Sequence, residues 1–240
     1  MARLALLNNI EHQDLRVITR HAGAFGDDIN QVLVFPTEFE EIQREYPIFF
    51  SKDSRGEWIA VALLGLDRNE NLFLDDSGWR ARYVPAVQQR GPFSIGLQEQ
   101  QAGTRAEPVI HIDLEHPRVS RTEGEPLFLK HGGNAPYLER VSRVLRVIHQ
   151  GIEVSKPMFA AFAEHGLIEP VAVEVKLSDT EQYNLTNFST IGAANLNALD
   201  GAALERLNKA GFLRAAFAVV SSISNVSRLI ELKNRRRAGA

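Results

Sequence analysis

Aromatic and charged side chains crowd one short stretch of this sequence, residues 70–86 (ENLFLDDSGWRARYVPA). Two adjacent carboxylates, Asp75 and Asp76, precede an alternating run in which Trp79 and Tyr83 flank two arginines. Guanidinium and aromatic groups that meet at the edge of a sheet can stack on a ligand and hydrogen-bond to it. We therefore predict a surface here that binds a small molecule or a protein partner. Its residues are Trp79, Arg80, Arg82, Tyr83, Arg90 and Phe93.

The same stretch also has a purely structural interpretation. Trp79 and Tyr83 can pack inside a hairpin while the two arginines are solvated or bridge the aspartates. A calcium loop does not fit. Residues 67–71 (DRNEN) offer oxygen ligands at alternate positions, but such a loop needs Gly at its sixth position and Glu at its twelfth. Those positions hold Leu72 and Gly78.

A histidine and an aspartate, His111 and Asp113, stand two apart on a predicted strand. Residues at this spacing face the same side of a strand, so both could bind one metal ion, as in non-haem iron enzymes. The third ligand would come from His131, His149 or His165. A solvated or hydrogen-bonded pair on a half-exposed strand is the competing interpretation. We predict no cofactor, with iron at this pair as the alternative.

Glycines precede a predicted helix in KHGGN, residues 130–134. Lys130 and the backbone N–H groups of Gly132 and Gly133 could hold an anion there, or the loop simply leads into Asn134 as a helix cap. An esterase would also need Gly-x-Ser-x-Gly, which is absent. The phosphate-loop, dinucleotide and His-Glu-x-x-His motifs are absent as well, so we predict no catalytic residue.

Composition narrows the function classes further. The formal net charge is −3, which gives no general attraction to nucleic acid, and the chain has no cysteine and therefore no disulfide or thiolate site. The basic run KNRRR near the end, residues 233–237, is interpreted as a solvated helix end. No apolar run approaches the roughly 20 residues of a membrane span. The N-terminus lacks the apolar core of a secretory signal, so we expect a cytoplasmic protein.

The elements that position these residues fall into two regions. Residues 1–130 are predicted to be mainly β with short helices, and residues 131–240 mainly α with one β-hairpin, packed as one compact unit. The fold class is therefore α+β. In the first region Thr37 is the predicted cap of a short helix to about residue 45, and residues 94–108 are a predicted loop. Strands are predicted at residues 32–35, 48–50, 58–66, 72–74, 79–84 and 109–114.

Helical and alternating patterns of apolar residues predict the elements of the second region. One helix begins at Asn134 and ends at Gly151, and a second covers residues 156–166. Residues 169–177 and 182–188 are predicted to pair as a hairpin. Asp200 caps a helix to about Ala210. A long amphipathic helix then closes the chain, with Phe217, Val220 and Ile223 on its buried side.

The chain resembles the SapC family, named for a bacterial surface-layer-associated protein, over roughly residues 20 to 235. One departure is visible, because Gly91 stands between Arg90 and Pro92 where the family usually has tyrosine. The residues that carry the resemblance are Tyr46-Pro47-Ile48-Phe49, Gly65, Glu70-Asn71-Leu72-Phe73, Gly78-Trp79, Tyr83, Pro85, Pro92-Phe93, Gly124-Glu125-Pro126-Leu127-Phe128 and Ser227-Arg228-Leu229.

The resemblance implies a link to the bacterial surface layer or envelope and brings no established catalytic residue. We therefore predict a non-catalytic binding or accessory protein whose ligand or partner is unknown. One alternative is a metal-dependent enzyme centred on His111 and Asp113. The other is an interaction protein that forms a homodimer through its C-terminal helices.

Overall fold

The structure, a computed structural model, describes residues 3–98, 107–176 and 182–239. Within these ranges it contains strands and helices in both regions of the chain, so the predicted α+β class is confirmed. The strands are β1 (Leu4–Leu6), β2 (Arg16–Val17), β3 (Gln31–Val34), β4 (Ile48–Lys52), β5 (Trp58–Leu63), β6 (Leu74–Asp75), β7 (Gly78–Trp79), β8 (Phe93–Gln98), β9 (Glu107–Asp113), β10 (Val119–Ser120), β11 (Glu125–Pro126), β12 (Ile168–Lys176) and β13 (Gln182–Ile191). The helices are α1 (Phe39–Ile42), α2 (Ala86–Gln89), α3 (Pro136–Glu164), α4 (Ala193–Asn197), α5 (Gly201–Lys209), α6 (Phe212–Ser222) and α7 (Val226–Ala238).

A five-stranded antiparallel sheet, in the order β12-β13-β4-β5-β3, takes strands from both regions of the chain. Its central strands, β4 and β5, are the continuous apolar runs predicted from the sequence, and both are largely buried. Phe50 of β4 contacts Phe159 and Phe162 of α3, with ring centroids 4.9 and 6.2 Å away. The main hydrophobic core therefore lies between this sheet and the helices.

A second core lies under the first half of α3. It is built around a three-stranded sheet in the order β1-β9-β8. Phe93 and Ile112 from this sheet pack with Leu138, Val141 and Leu145 of α3, and all five are buried. Because α3 contacts this core with its first half and the main core with its second half, one long helix joins the two.

The continuity of α3 corrects two predictions. Asn134 does not cap it, since Ala135 precedes its first residue. Gly151 does not end it, because the helix continues through Gly151 and Pro157 to Glu164. A Cβ atom at Gly151 would lie 2.3 Å from the Cβ atom of Phe35. The glycine therefore permits a close approach between the helix and the chain before α1, and its helix-breaking tendency is overridden by packing.

The predicted helix at residues 37–45 is shorter and begins differently. A 3₁₀ turn at Pro36–Glu38 leads into α1, and Glu38 accepts a hydrogen bond from the Phe35 N–H at 3.1 Å. Thr37 does not cap the helix, because its hydroxyl donates to the Val147 carbonyl of α3 at 2.9 Å. A tertiary hydrogen bond thus replaces the local one that the sequence pattern predicted.

Two predicted elements between residues 79 and 108 also differ. The hairpin strand ends at Trp79 instead of residue 84, because the following residues hydrogen-bond to distant carboxylates: the Arg82 N–H donates to Glu45 at 2.7 Å. The described part of the predicted loop at residues 94–108 is paired, since β8 up to Gln98 and β9 from Glu107 form an antiparallel ladder. The rest of that loop, residues 99–106, lies outside the described residues.

The C-terminal helix is divided by a 3₁₀ turn at Ile223–Asn225. Phe217, predicted to be buried, is 49% exposed, and the buried face of α6 consists mainly of small residues such as Ala216 and Ser222. The Ser222 hydroxyl accepts the Ile48 N–H at 2.9 Å, so α6 packs too closely against β4 to place a phenylalanine there.

By length and composition alone, the helical stretch Phe212–Ala238 is long and apolar enough to cross a membrane. About 33% of its most apolar part is buried inside the protein. Core helices of globular proteins can be equally long and apolar. The expectation of no membrane span therefore stays a prediction.

The strand predicted at residues 72–74 begins later, because Leu72 and Phe73 form a turn and β6 starts at Leu74. Other patterns agree with the structure. The strands predicted at residues 32–35 and 109–114 correspond to β3 and β9, and the predicted hairpin to β12 and β13. Asp200 caps α5, with its side chain accepting the Ala203 N–H at 2.7 Å. These elements are specified by local alternation, apolar runs and cap chemistry, which explains why they were predictable.

Candidate functional site

A cleft of about 710 Å³, here called the Trp79 cleft, opens beside the β6–β7 hairpin. Its volume lies within the usual range for small-molecule sites. The walls come from the segment after β2, from the hairpin and from the end of α7. The charged and aromatic residues that line it are Arg20, His21, Asp28, Asp75, Asp76, Trp79 and Arg236.

The indole of Trp79 forms one wall and is held in place from behind. Its Nε1–H donates to the Tyr46 hydroxyl at 2.8 Å, and that hydroxyl donates to the Tyr83 carbonyl at 2.6 Å. Tyr46 is fully buried, and burial raises the pKa of its hydroxyl. The Trp79 ring meets His21 edge to face, with centroids 5.4 Å apart. The aromatic wall is therefore rigidly positioned.

Tyr83 faces inward from the hairpin. Its hydroxyl donates to Glu38 at 2.9 Å, and the same carboxylate oxygen accepts the Ala86 N–H at 2.9 Å. Burial raises the pKa of Glu38, although the hydrogen bonds from Ala86, Tyr83 and Phe35 partly oppose that shift. Tyr83 thus supports the chain behind Trp79.

The opposite wall rests on a buried ion pair. Arg118 donates to Asp27 at 2.6 Å, and their side chains are only 5% and 2% exposed. The same Asp27 oxygen accepts the Ala22 N–H at 2.9 Å and lies 3.2 Å from His21 Nδ1. Burial alone would raise the pKa of Asp27, but the His21 hydrogen bond and the Arg118 charge outweigh burial, so its pKa is lowered. This ion pair fixes His21 against Trp79.

The rim of the cleft carries exposed carboxylates. Asp75 accepts hydrogen bonds from the Ser77 N–H at 2.8 Å and the Ser77 hydroxyl at 2.6 Å, and these bonds lower its pKa. Asp76 and Asp28 are exposed. On α7, Arg236 donates to the Leu74 carbonyl at 2.6 Å and to the Asn71 carbonyl at 3.0 Å. The last helix therefore holds the hairpin that presents the acidic rim.

The structure does not bring the six predicted binding residues together on one surface. Trp79 lines the cleft, Arg80 is exposed on the hairpin with its Nε 3.3 Å from Asp75, and Arg82 is exposed. Phe93 is fully buried in the second core, and Arg90 donates to the Phe93 carbonyl at 2.9 Å.

Sequence reasoning missed most of the residues that accompany Trp79. No sequence pattern pairs His21 with Trp79, Asp27 or Arg118. Arg236 belongs to the basic run that was interpreted as a solvated helix end. Each of these residues comes from a segment distant in sequence, so only the tertiary structure shows that they lie together.

The predicted metal pair lies on β9. His111 packs over Gly96 of β8, where an added Cβ would lie 2.2 Å from the imidazole Cε1. Asp113 accepts the Arg3 and Glu115 N–H groups at 2.9 and 3.1 Å. Within residues 3–98, 107–176 and 182–239, no three His, Asp or Glu side chains gather in a way that could hold a metal ion. His149 lies near Glu153 on α3, at 3.8 Å. Iron binding stays a prediction.

The predicted anion site forms a tight glycine turn. The Gly132 N–H donates to the Leu129 carbonyl at 3.1 Å, and the Leu129 N–H donates to the Gly133 carbonyl at 3.0 Å. Both glycines have positive φ, 90° and 89°, so the turn itself requires them. Lys130 is exposed. One of the two proposed N–H donors is already occupied, and anion binding stays a prediction.

Comparison with known proteins bears on these residues. A sequence profile of the SapC family matches residues 7–229 of the 240 residues. The chain belongs to the SapC family. Comparisons with curated proteins and with solved structures give no significant match.

Several residues that carry the SapC resemblance meet around the cleft. Tyr46, Trp79 and Tyr83 form the chain of hydrogen bonds behind its aromatic wall. The Asn71 side chain donates to the Asp27 carbonyl at 2.9 Å, which joins the hairpin to the opposite wall. Arg228 pairs with Glu45 at 3.0 Å beneath the same region. In this SapC protein the resemblance thus converges on one structural neighbourhood.

Proposed function

We propose that this SapC-family protein is a non-catalytic binding or accessory protein associated with bacterial surface-layer or envelope function. It captures its ligand or partner in the Trp79 cleft. The observation that supports this proposal is the fixed indole of Trp79, which is buttressed by Tyr46 and His21 and exposed to a cleft of about 710 Å³. The envelope association comes from the family alone.

The charges of the cleft favour a partner that donates hydrogen bonds. Asp28 and Asp76 are exposed acceptors on its rim, and Asp75, also exposed, already pairs with Arg80 at 3.3 Å. The cations are already engaged, since Arg20 pairs with Glu123 and Arg236 donates to two backbone carbonyls. An ammonium or guanidinium group could pair with the carboxylates and stack on the indole face. We therefore propose a cationic partner group.

The titratable groups nearest Trp79 support the structure of the cleft. His21 is held beside Asp27 and Arg118, and Glu38 accepts three hydrogen bonds beneath the hairpin. A general acid or base must be able to reach a substrate proton with a suitable pKa. Glu38 does not line the cleft, which favours binding over acid–base catalysis by this carboxylate.

The two tryptophans of the chain, Trp58 and Trp79, provide the test. In Trp58→Phe only Trp79 reports fluorescence, and in Trp79→Phe only Trp58 does. Titration with an arginine-rich hexapeptide should change the Trp79 signal and leave the Trp58 signal unchanged. Asp76→Asn, at an exposed position, should weaken the response without unfolding the protein, whereas an acidic hexapeptide should give none.

The decisive loss-of-function variant is Trp79→Ala. We expect it to lose capture of any envelope or cytosolic component that wild-type protein retains from bacterial extract, while Trp58→Ala retains it. Urea unfolding of both variants checks that each is folded. A folded Trp79→Ala protein that retains every component, together with an unchanged Trp79 signal on peptide addition, would exclude this cleft as the binding site.

The homodimer alternative has one observation in its favour, the 49% exposure of Phe217 on the apolar helix α6. A dimer that buried this side chain would remove apolar area from water. Sedimentation at micromolar concentration tests it: we expect a dimer that Phe217→Ser converts to monomer, and a wild-type monomer excludes this alternative.

A further inference from the structure

An apolar groove of about 440 Å³, here called the α3 groove, runs between α3, β3 and β8. Leu145 and Phe35 form its buried base, and Leu33 and Ile152 are 36% and 57% exposed along its sides. It shares no lining residue with the Trp79 cleft. An exposed apolar groove of this size is typical of a binding site.

The α3 groove is also lined by one arginine, Arg90, and by His149, whose Nε2 lies 3.8 Å from Glu153. The Arg90 guanidinium is partly buried and donates to the Phe93 carbonyl at 2.9 Å. None of the ion pairs among residues 3–98, 107–176 and 182–239 involves Arg90. This partial burial removes part of the charge from water and lowers the pKa of Arg90. A desolvated cation without a carboxylate partner favours an anion in the groove.

A second cavity, of about 430 Å³, adjoins the groove and shares Val87, Arg90 and Ser94 with it. The acids of this cavity are already engaged. Asp27 pairs with Arg118 at 2.6 Å, and Asp113 accepts two backbone N–H groups. Arg90 therefore has no carboxylate partner in this cavity either, and it can pair with a ligand. The Asp113 carboxylate lines the same cavity, and its charge favours a monoanion over a dianion.

We propose that the α3 groove binds a single-chain aliphatic carboxylate of the fatty-acid type. The apolar chain would lie against Leu33, Ile148 and Ile152, and the carboxylate would pair with Arg90 beside Ser94. The planar guanidinium matches a carboxylate geometrically, and a groove of 440 Å³ suits one aliphatic chain better than the two of a diacyl lipid. This site is independent of the Trp79 cleft.

Isothermal titration calorimetry with three ten-carbon amphiphiles tests the proposal, with the two ionic ones below their micelle concentrations and decanol below its solubility limit. Decanoate should bind with one site per chain, decanol more weakly, and decyltrimethylammonium not measurably. Arg90→Gln, which keeps a donor for the Phe93 carbonyl, should weaken decanoate binding about tenfold and leave decanol binding unchanged. Ile152→Ser, at an exposed position, should weaken both. The control Arg80→Gln, an exposed arginine of the hairpin, should change neither.

Three outcomes would overturn the proposal. The first is equal binding of the three amphiphiles, which indicates a non-selective apolar surface. The second is unchanged decanoate binding in Arg90→Gln while urea unfolding shows a native protein. The third is a wild-type dimer in sedimentation that Ile152→Ser converts to monomer, because the groove would then be a contact between two copies of the chain.

Discussion

Lys233 of α7 and Glu70, 163 residues earlier, form an ion pair of 2.6 Å in which both side chains are only 10% exposed. Lys233 also donates to Asp67 at 2.5 Å. Burial lowers the pKa of Lys233, but the hydrogen bonds to Asp67 and Glu70 outweigh burial, so its pKa is raised. The pair ties the last helix to the turn before the β6–β7 hairpin, and thereby helps to position the Trp79 cleft.

Replacing Lys233 by Met should lower the free energy of unfolding by about 3 kcal/mol, because Glu70 is left buried without its cation. Urea unfolding measures the change. Adding Glu70→Gln should restore much of the stability, since no uncompensated buried charge remains and Asp67, the other partner of Lys233, is 51% exposed. Lys209→Met, which removes an exposed i,i+4 pair with Glu205, is the matched control and should cost less than about 1 kcal/mol. Equal losses in the two single variants would contradict this account.

Asp27→Asn should destabilise the protein at neutral pH by about 3 kcal/mol, because Arg118 loses a buried counter-ion. The folded-state pKa of Asp27 is lowered, so its contribution is present above the unfolded value of about 3.9 and is lost as pH falls through the folded value. The difference between wild type and variant in urea unfolding should therefore narrow in acid. Asp28→Asn, at the exposed neighbour, should have the same free energy of unfolding as wild type at every pH. If the free energies of unfolding of wild type and Asp27→Asn differ by the same amount at every pH, the ion pair with Arg118 is refuted.

Three of the four tyrosines should resist ionisation in the folded protein. Burial is the largest cause of the raised pKa values of Tyr46 and Tyr83, and it raises the pKa of Tyr137 to about 12. Their stabilising contribution is complete below the unfolded pKa of about 10 and is lost as pH rises through the folded values. Tyrosinate absorbance should therefore increase mainly as the protein unfolds in alkali. Full tyrosinate absorbance with native circular dichroism would contradict this prediction.

Glu38→Gln should lower the free energy of unfolding by about 2 kcal/mol, although it removes a buried charge. Both carboxylate oxygens of Glu38 accept hydrogen bonds, from Phe35 on one side and from Tyr83 and Ala86 on the other. A glutamine must present its NH₂ group to one of these donors. Glu40→Gln, in an exposed pair with Arg214, is the control and should cost less than about 1 kcal/mol. Similar unfolding midpoints for the two variants would count against the role of Glu38.

Gly151→Ala should destabilise the protein by about 1–3 kcal/mol despite the better helix propensity of alanine. The added methyl group would overlap Phe35 and force α3 away from the chain before α1. Gly201, at the start of α5, has open space where a methyl group would be added, so Gly201→Ala should be neutral or stabilising by up to about 1 kcal/mol. Thermal unfolding of the two variants distinguishes the effect of packing from that of helix propensity. A Gly151→Ala protein more stable than wild type would exclude the packing explanation.

Local sequence patterns predicted the elements that depend only on residues within their own segment. The apolar runs of β4 and β5, the alternation of β12 and the Asp200 cap needed no information from distant residues. The failures share one cause. Thr37 bonds to Val147 of α3 instead of capping its own helix, and α3 runs through Gly151 because the glycine fits against Phe35. In both cases a tertiary contact replaced the local preference.

The sequence by itself determined the α+β class, the absence of cysteine chemistry and membership of the SapC family. It also singled out Trp79. Only the tertiary structure decided which residues accompany Trp79. His21 and Arg236 line the cleft and Tyr46 supports Trp79 from behind, and the three come from segments far apart along the chain. It likewise placed Phe93 inside the second core. Periodicity specifies which face of an element is apolar, but the meeting of two elements depends on packing that no single segment encodes.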